Sequence, residues 1–352
     1  MLARMEPAST RAGRRGMPRA RGLLVSASAA LALTSACGGH AAPPRTIGSV
    51  PPARAAVDDE AGATAIAPPG GLARAFAAMP EDTDIVLGVD ATQVRASPLF
   101  RRYEATIRAA GGERMAEVQR DCGFDVVASV TGFVIGARGT DALMFVNGLD
   151  RTRYTDCMAR RIAARRATRP DARLLVDGDL VDYREGGTTP PLRLHWLGRR
   201  SMLFIKHGDD HAPAAELAAA AAARAGQGLT ASPTFMALVQ RARTDAPVWF
   251  VMRGAQLGAA LPVTVRTVRG DLSLADDVQG TITLAVEDAA AARKLTDVLD
   301  QQLGQLRTSS FGGLASAVRV HAGGDAGDEV TIAFTLTSEQ LAQLVALLGI
   351  GF

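Results

Sequence analysis

The same succession of apolar segments and helices occurs twice along this 352-residue chain, which constrains its fold more than any single motif. Asp82 to Val94 reads DTDIVLGVDATQV and Asp245 to Leu257 reads DAPVWFVMRGAQL. Set with Ile85 against Val248, the two share an apolar run, a polar break and a Gln before Val94 or Leu257. A short helical stretch precedes each, Leu72–Met79 and Phe235–Ala242. Downstream, Ala142 to Asp150 (ALMFVNGLD) and Gly280 to Asp288 (GTITLAVED) each lead into a helix. Each unit closes with two more apolar segments, Arg173–Asp182 and Leu192–His207 in the first, Ala317–His321 and Glu329–Leu336 in the second. A further helix follows each pair, Ala212–Ala225 and Ser338–Leu348. The order expected in each half is β-α-β-β-α-β-β-α. Strands joined partly by glycine-rich turns favour mainly antiparallel α+β sheets with helices packed on one face. The expected folded units are 71–227 and 228–352.

Local signals sharpen several boundaries. Ser97-Pro98 is a helix start, an N-cap followed by proline in the first turn. Cys122-Gly123 is a stop, with glycine free to take the left-handed conformation. Met115, Val118 and Cys122 share one helical face, which aims Cys122 at a packed neighbour.

The region before the first unit carries an address. Arg19 and Arg21 precede an uncharged run, Gly22 to Leu33, too short for the roughly 20 apolar residues a bilayer span needs. Thr34-Ser35-Ala36 then leads to Cys37 and Gly38-Gly39. Small residues let an extended backbone enter a peptidase cleft, and a thiol can accept a lipid as a thioether. At these residues the segment resembles the lipobox of bacterial lipoproteins, with Thr34 where Leu is commonest. The resemblance implies a signal peptide over 1–36 and acylation of Cys37. Residues 38–70, rich in Pro, Ala and Gly, read as a disordered tether belonging with the acylated Cys in segment 37–70. Gly38, where some inner-membrane lipoproteins carry Asp, directs the expectation to the outer membrane.

Only Cys122 and Cys157 remain once Cys37 is assigned to the anchor. An even pair in an oxidising compartment reads as a disulfide. The formal charge of +3 is concentrated in the leader: residues 1–36 hold six arginines against Glu6, so the remainder is slightly acidic. That balance argues against a nucleic-acid partner, whose binders carry their positive charge in the folded domain.

Two clusters are candidates for chemistry. His207, Asp209 and His211, with Asp210, could supply nitrogen and oxygen ligands to a divalent ion, although a strand-to-helix turn also favours Gly and Asp for backbone reasons. Arg160, Arg161 and Arg165 on the helix over 152–167 could contact an anionic surface. No nucleophile elbow, zinc-protease helix or P-loop is present, so no catalytic residue and no cofactor is assigned and the chain reads as a non-enzyme. Gly132, Gly136 and Gly139 miss dinucleotide-binding spacing and read as turn glycines between strands. His195 and His321 fall in strand-like segments, and Trp196, Trp249, Phe250, Phe133 and Phe145 read as core.

Taken together, the lipobox, the tether and the DIVLGVD…SPLF and APVWFV segments resemble uncharacterised myxobacterial-type envelope lipoproteins with tandem α+β units. The resemblance implies location and fold style, and carries no functional residue across. The expected function is a non-catalytic binding or scaffold protein of the envelope, anchored to the membrane by lipid, with an envelope protein or lipid as partner. The alternative is a carrier holding a hydrophobic ligand between sheet and helices.

Overall fold

The computed structural model describes residues 72–110, 112–139, 141–184, 186, 192–206, 225, 228–309 and 311–347. Their backbone builds one twelve-stranded sheet, ordered β11-β12-β10-β9-β8-β1-β2-β3-β7-β6-β5-β4. Every neighbouring pair is antiparallel. The strands are β1 (Ile85–Val89), β2 (Gly132–Arg138), β3 (Asp141–Asn147), β4 (Arg173–Asp177), β5 (Leu180–Arg184) and β6 (Leu192–Trp196). They continue as β7 (Ser201–Lys206), β8 (Val248–Arg253), β9 (Val265–Leu274), β10 (Val278–Val286), β11 (Val318–Gly323) and β12 (Glu329–Leu336). The described helices are α1 (Ala73–Ala78), α2 (Ala91–Ala96), α3 (Pro98–Ala110), α4 (Gly112–Cys122) and α5 (Val126–Ser129). After these come α6 (Arg151–Arg165), α7 (Pro233–Arg241), α8 (Ala289–Arg307), α9 (Gly312–Ser316) and α10 (Ser338–Leu347).

The duplication expected from the sequence is visible in the strand registers. β1 and β8 meet at the centre of the sheet, where Ile85 pairs with Met252 and Val89 with Val248. Exchanging the two strands, with Ile85 taking the place of Val248, reproduces the register, so a local dyad passes between Leu87 and Phe250. Hydrogen bonds just beyond the strands obey the same dyad: Asp90 N–H donates to the Pro247 carbonyl at 2.9 Å, and Arg253 N–H to the Asp84 carbonyl at 2.8 Å. Working outward, β2, β3, β7 and β6 on one side match β9, β10, β12 and β11 on the other. Ala142 pairs with Lys206 as Gly280 pairs with Phe334, so the alignment of Ala142 with Gly280 holds in space. Asp150 and Asp288 then cap equivalent helices, accepting the N–H of Arg153 at 3.0 Å and of Ala291 at 2.8 Å. Such caps satisfy backbone donors that the first helical turn leaves unpaired.

The halves differ where one is longer. The stretch Arg173–Asp182 is a hairpin, β4 and β5, and Leu192–His207 contains a second, β6 and β7. The first turn places Gly178 at φ 56°, a conformation glycine adopts without steric penalty. One of the two hairpins therefore lies outside the repeat, extending the sheet beyond β6. Another difference concerns the connection after the first strand: α2 to α5 in the first half, a short 3₁₀ turn over Gly254–Ala260 in the second.

Side chains alternate between two faces, so the buried clusters show which layer covers what. Met144, Ile135, Leu87 and Phe250 stand in one row on one face. That face carries α4, α5 and α6 over Val146, Leu194, Trp196 and Met202, and α8 over Val268, Leu284 and Val330. The α+β class is as expected, but the expectation of helices on one face alone is corrected, since helices cover both faces. The opening helices, α1 and α7, cover the centre of the opposite face, where Phe76, Met236 and Val239 pack on Val86, Phe145, Leu203 and Trp249. This central cluster draws on residues from both sides of position 228, so the units expected at 71–227 and 228–352 share one sheet and one core. All described residues belong to the unit Gly62–Phe352.

Two glycines make the centre possible. A Cβ at Gly88 would fall 2.2 Å from Trp249 Cε2, and one at Gly136 would fall 2.8 Å from Met79 Sδ. Gly132 and Gly136 therefore lie within β2 and serve close packing, a correction to their reading as turn residues; Gly139, at φ 57°, does make the turn.

Candidate functional site

Cysteine chemistry comes first because both remaining thiols are in the described body. Cys122 is the last residue of α4, and Gly123 takes φ 67° and closes the helix with its N–H on the Gln119 carbonyl at 2.9 Å. Cys157 is fully buried in α6. The two are joined by a disulfide with their Cα atoms 5.1 Å apart. Sequence reasoning located this pair correctly, since the shared helical face of Val118 and Cys122 meets α6.

The same helix explains the arginines. Arg161 lies one turn beyond Cys157 and so shares its inward face; its side chain is 6% exposed. Its Nη2 donates to Glu117 Oε2 at 3.1 Å, while Nη1 stands 3.6 Å from Asp121 Oδ2. Arg165 Nη2 reaches the same Glu117 oxygen at 3.4 Å. Arg161 is therefore an internal clamp between α4 and α6, a correction to its assignment as a contact for an anionic surface. Arg165 is half-committed to that clamp, and Arg160 is exposed. Arg153 is also engaged, with its guanidinium 5.6 Å from the Phe124 ring centroid and donating to the Gly123 carbonyl at 3.3 Å.

Cys37 lies outside the described residues, as do His207, Asp209, Asp210 and His211. Among the described residues no group of three or more His, Cys, Asp or Glu is placed to hold a metal ion. His195 and His321 occupy equivalent positions on β6 and β11, the first buried and the second exposed.

A surface the sequence reading did not single out is the face of β9 to β12 opposite α8. One row of paired residues crosses the sheet here: Leu203, Phe145, Val134, Gly88, Trp249, Asp271, Thr281, Ala333, Arg319. Its character changes between Trp249 and Asp271. Toward β7 the row is core; toward β11 it is polar. Neighbouring rows agree, since Arg269, Thr283, Thr331 and His321 take the places that Val134, Phe145, Leu203 and His195 hold in the first half. Arg269 grips Glu329 through two hydrogen bonds, 2.8 and 2.9 Å, across the intervening β10. Those bonds hold the Glu329 carboxyl below its ordinary range. Asp271 is largely buried beside Arg243, at 3.7 Å, and burial pushes its carboxyl up.

A shallow groove of about 230 Å³ runs along this face, lined among others by Arg243, Asp271, Gln279, Thr281, Arg319 and Thr335. It offers hydroxyl, amide, carboxylate and guanidinium groups, with no His or Cys among its described lining. Such a surface can recognise a polar partner. The available signal was the alternation along Thr281–Val286 and Val330–Leu336, which reads as one side toward a core and the other toward solvent or a neighbouring layer. Set against protein-family models and curated proteins, the chain matches none.

Proposed function

We propose that this protein is a lipoprotein of the bacterial envelope, acylated at Cys37, whose body is a non-catalytic recognition module displaying the β9–β12 face. The observation that carries the location is the order of residues from Arg19 to Cys37: positive charge, short apolar run, small residues, thiol. Cys122–Cys157 supports it, because disulfides persist in oxidising compartments outside the cytoplasm. No described helix is long and apolar enough to cross a membrane. More than one acyl chain, at about 0.8 kcal/mol per buried CH₂, gives stable anchoring, with the outer membrane as the expected site.

A binding role is supported by the chemistry of the groove, which gathers hydroxyl, amide, carboxylate and guanidinium groups on one face. The carrier alternative asks for an apolar cavity between sheet and helices, where the described side chains form three buried clusters.

Metabolic labelling with palmitate in a bacterial host tests the anchor. The wild-type chain takes up label and fractionates with membranes, and Cys37→Ser does neither; label on the Ser variant refutes acylation at that residue. A photo-crosslinker placed at Thr281 tests the face. Adducts there, absent from the exposed Asp297 on α8, are expected; equal adducts at both positions refute a dedicated surface.

A further inference from the structure

β4 is the last strand of the sheet and pairs with β5 alone, so one side of its backbone hydrogen-bonding groups has no strand beside it among the described residues. Edges of this kind are usually blunted by proline, a bulge or a charge near mid-strand. β4 reads Arg173-Leu174-Leu175-Val176-Asp177, with its apolar residues in the middle. Leu175 is 54% exposed and Val176 52%, the two most exposed large apolar side chains in the described body. The opposite edge, β11, instead presents Arg319, His321 and the small Ala322 at its exposed positions.

The order of charges indicates what such an edge fits. A strand of positive, three apolar and negative residues is complementary to itself when reversed. Laid antiparallel with Leu175 facing Leu175, two copies place each Arg173 opposite the partner's Asp177, and each Leu174 opposite the partner's Val176. Shifting the centre to Leu174 would set Asp171 against Asp177, and shifting it to Val176 would set Asp177 against Leu175, so sequence selects one register. The body's own pairing adds a reason for a carboxylate to arrive there. Arg173 stands directly opposite Arg184 on β5, a like-charge pair that costs stability, and Arg184 Nε is buried with no hydrogen-bond partner among the described residues.

We infer that the β4 edge is a self-association surface on which a second copy of this chain adds its own β4 across a twofold axis, joining both sheets into one. An isologous contact of this form closes on itself and stops at the dimer. The inference stands on the edge strand and is independent of the acyl anchor.

Sedimentation velocity on the full chain carrying Cys37→Ser, which lacks the acyl acceptor, tests it over a range of concentrations. A reversible monomer–dimer equilibrium is expected, lost in Leu175→Lys, where two ammonium groups would meet on the axis. Arg173→Asp and Asp177→Arg each turn two attractive pairs into two repulsive ones and weaken association by about tenfold or more. The double variant restores the pairing in reverse and recovers it. Both charged positions are exposed, and unchanged circular dichroism and Tm confirm that each variant folds. A wild-type chain that stays monomeric at all concentrations overturns the inference. So do a double swap that fails to rescue and species that grow beyond the dimer.

Discussion

Removing the Cys122–Cys157 bond should lower the stability of the body by about 4 kcal/mol. The bond closes a loop of 35 residues in sequence. In the chain-entropy relation, a loop of that length withholds about 13 cal/mol/K from the unfolded ensemble, or about 4 kcal/mol at 25 °C. The folded side of the balance changes less, because α4 and α6 stay clamped by Arg161, Glu117 and Asp121 and packed through Val118 and Tyr154. At about 2.1 cal/mol/K of unfolding entropy per residue, a body of this size loses roughly 7 °C in Tm. Calorimetry of the full chain with and without a thiol reductant reads this directly. The Cys122→Ala, Cys157→Ala double variant should reproduce the reduced protein and add about 1 kcal/mol for the space left at buried Cys157. A shift below about 2 °C, with thiol counting showing the bond intact beforehand and open afterwards, would refute the entropic argument.

Three further outcomes follow from other parts of the body. Gly88→Val drives a side chain into Trp249 across the central strand pair and should cost about 1–3 kcal/mol or more in denaturant unfolding; a neutral result means the β1–β8 seam is not close-packed. Arg161→Ala should cost about 1–3 kcal/mol and Arg165→Ala under about 1, since the first guanidinium is buried and the second partly wet; equal losses would contradict the clamp. On the open face, pH acts in opposite senses at two carboxyls. Burial raises the folded pKa of Asp271, so its ionisation penalises the native state as pH rises through the carboxylate range, and Asp271→Asn should gain Tm at neutral pH but not in acid. Hydrogen bonds from Arg269 lower the folded pKa of Glu329, so its contribution is present above its ordinary range and fades as pH falls through the lowered value. Glu329→Gln should therefore lose Tm at neutral pH and little in acid.

The sequence was most informative where a local rule acts alone. Apolar runs ending in an aspartate N-cap marked Asp150 and Asp288, and the alignments of Ile85 with Val248 and Ala142 with Gly280 correspond to equivalent sites in the sheet. Ser97-Pro98 and Cys122-Gly123 bounded the helical stretch now resolved as α3 and α4. Signals that depend on partners were harder to read. Arg161 looks like its solvated neighbours in composition, and only its turn-spacing from Cys157 indicates burial. Gly136 resembles a turn glycine until Met79, on another element, is seen to need its space. The hairpin at Gly178 carried a usable Asp177-Gly178 signal that apolar continuity concealed. Asp271, Arg243 and Arg319 come from three separate segments and meet only through strand order.

A fused pair of halves is released from a restriction that binds two identical subunits, in which any change on one is imposed on the other. Here Val134, Phe145 and Leu203 are apolar beneath α1 and α7 while their counterparts Arg269, Thr283 and Thr331 are polar. The half that lies beneath those two helices anchors the seam, and the outward chemistry of the other can vary at less cost to the fold.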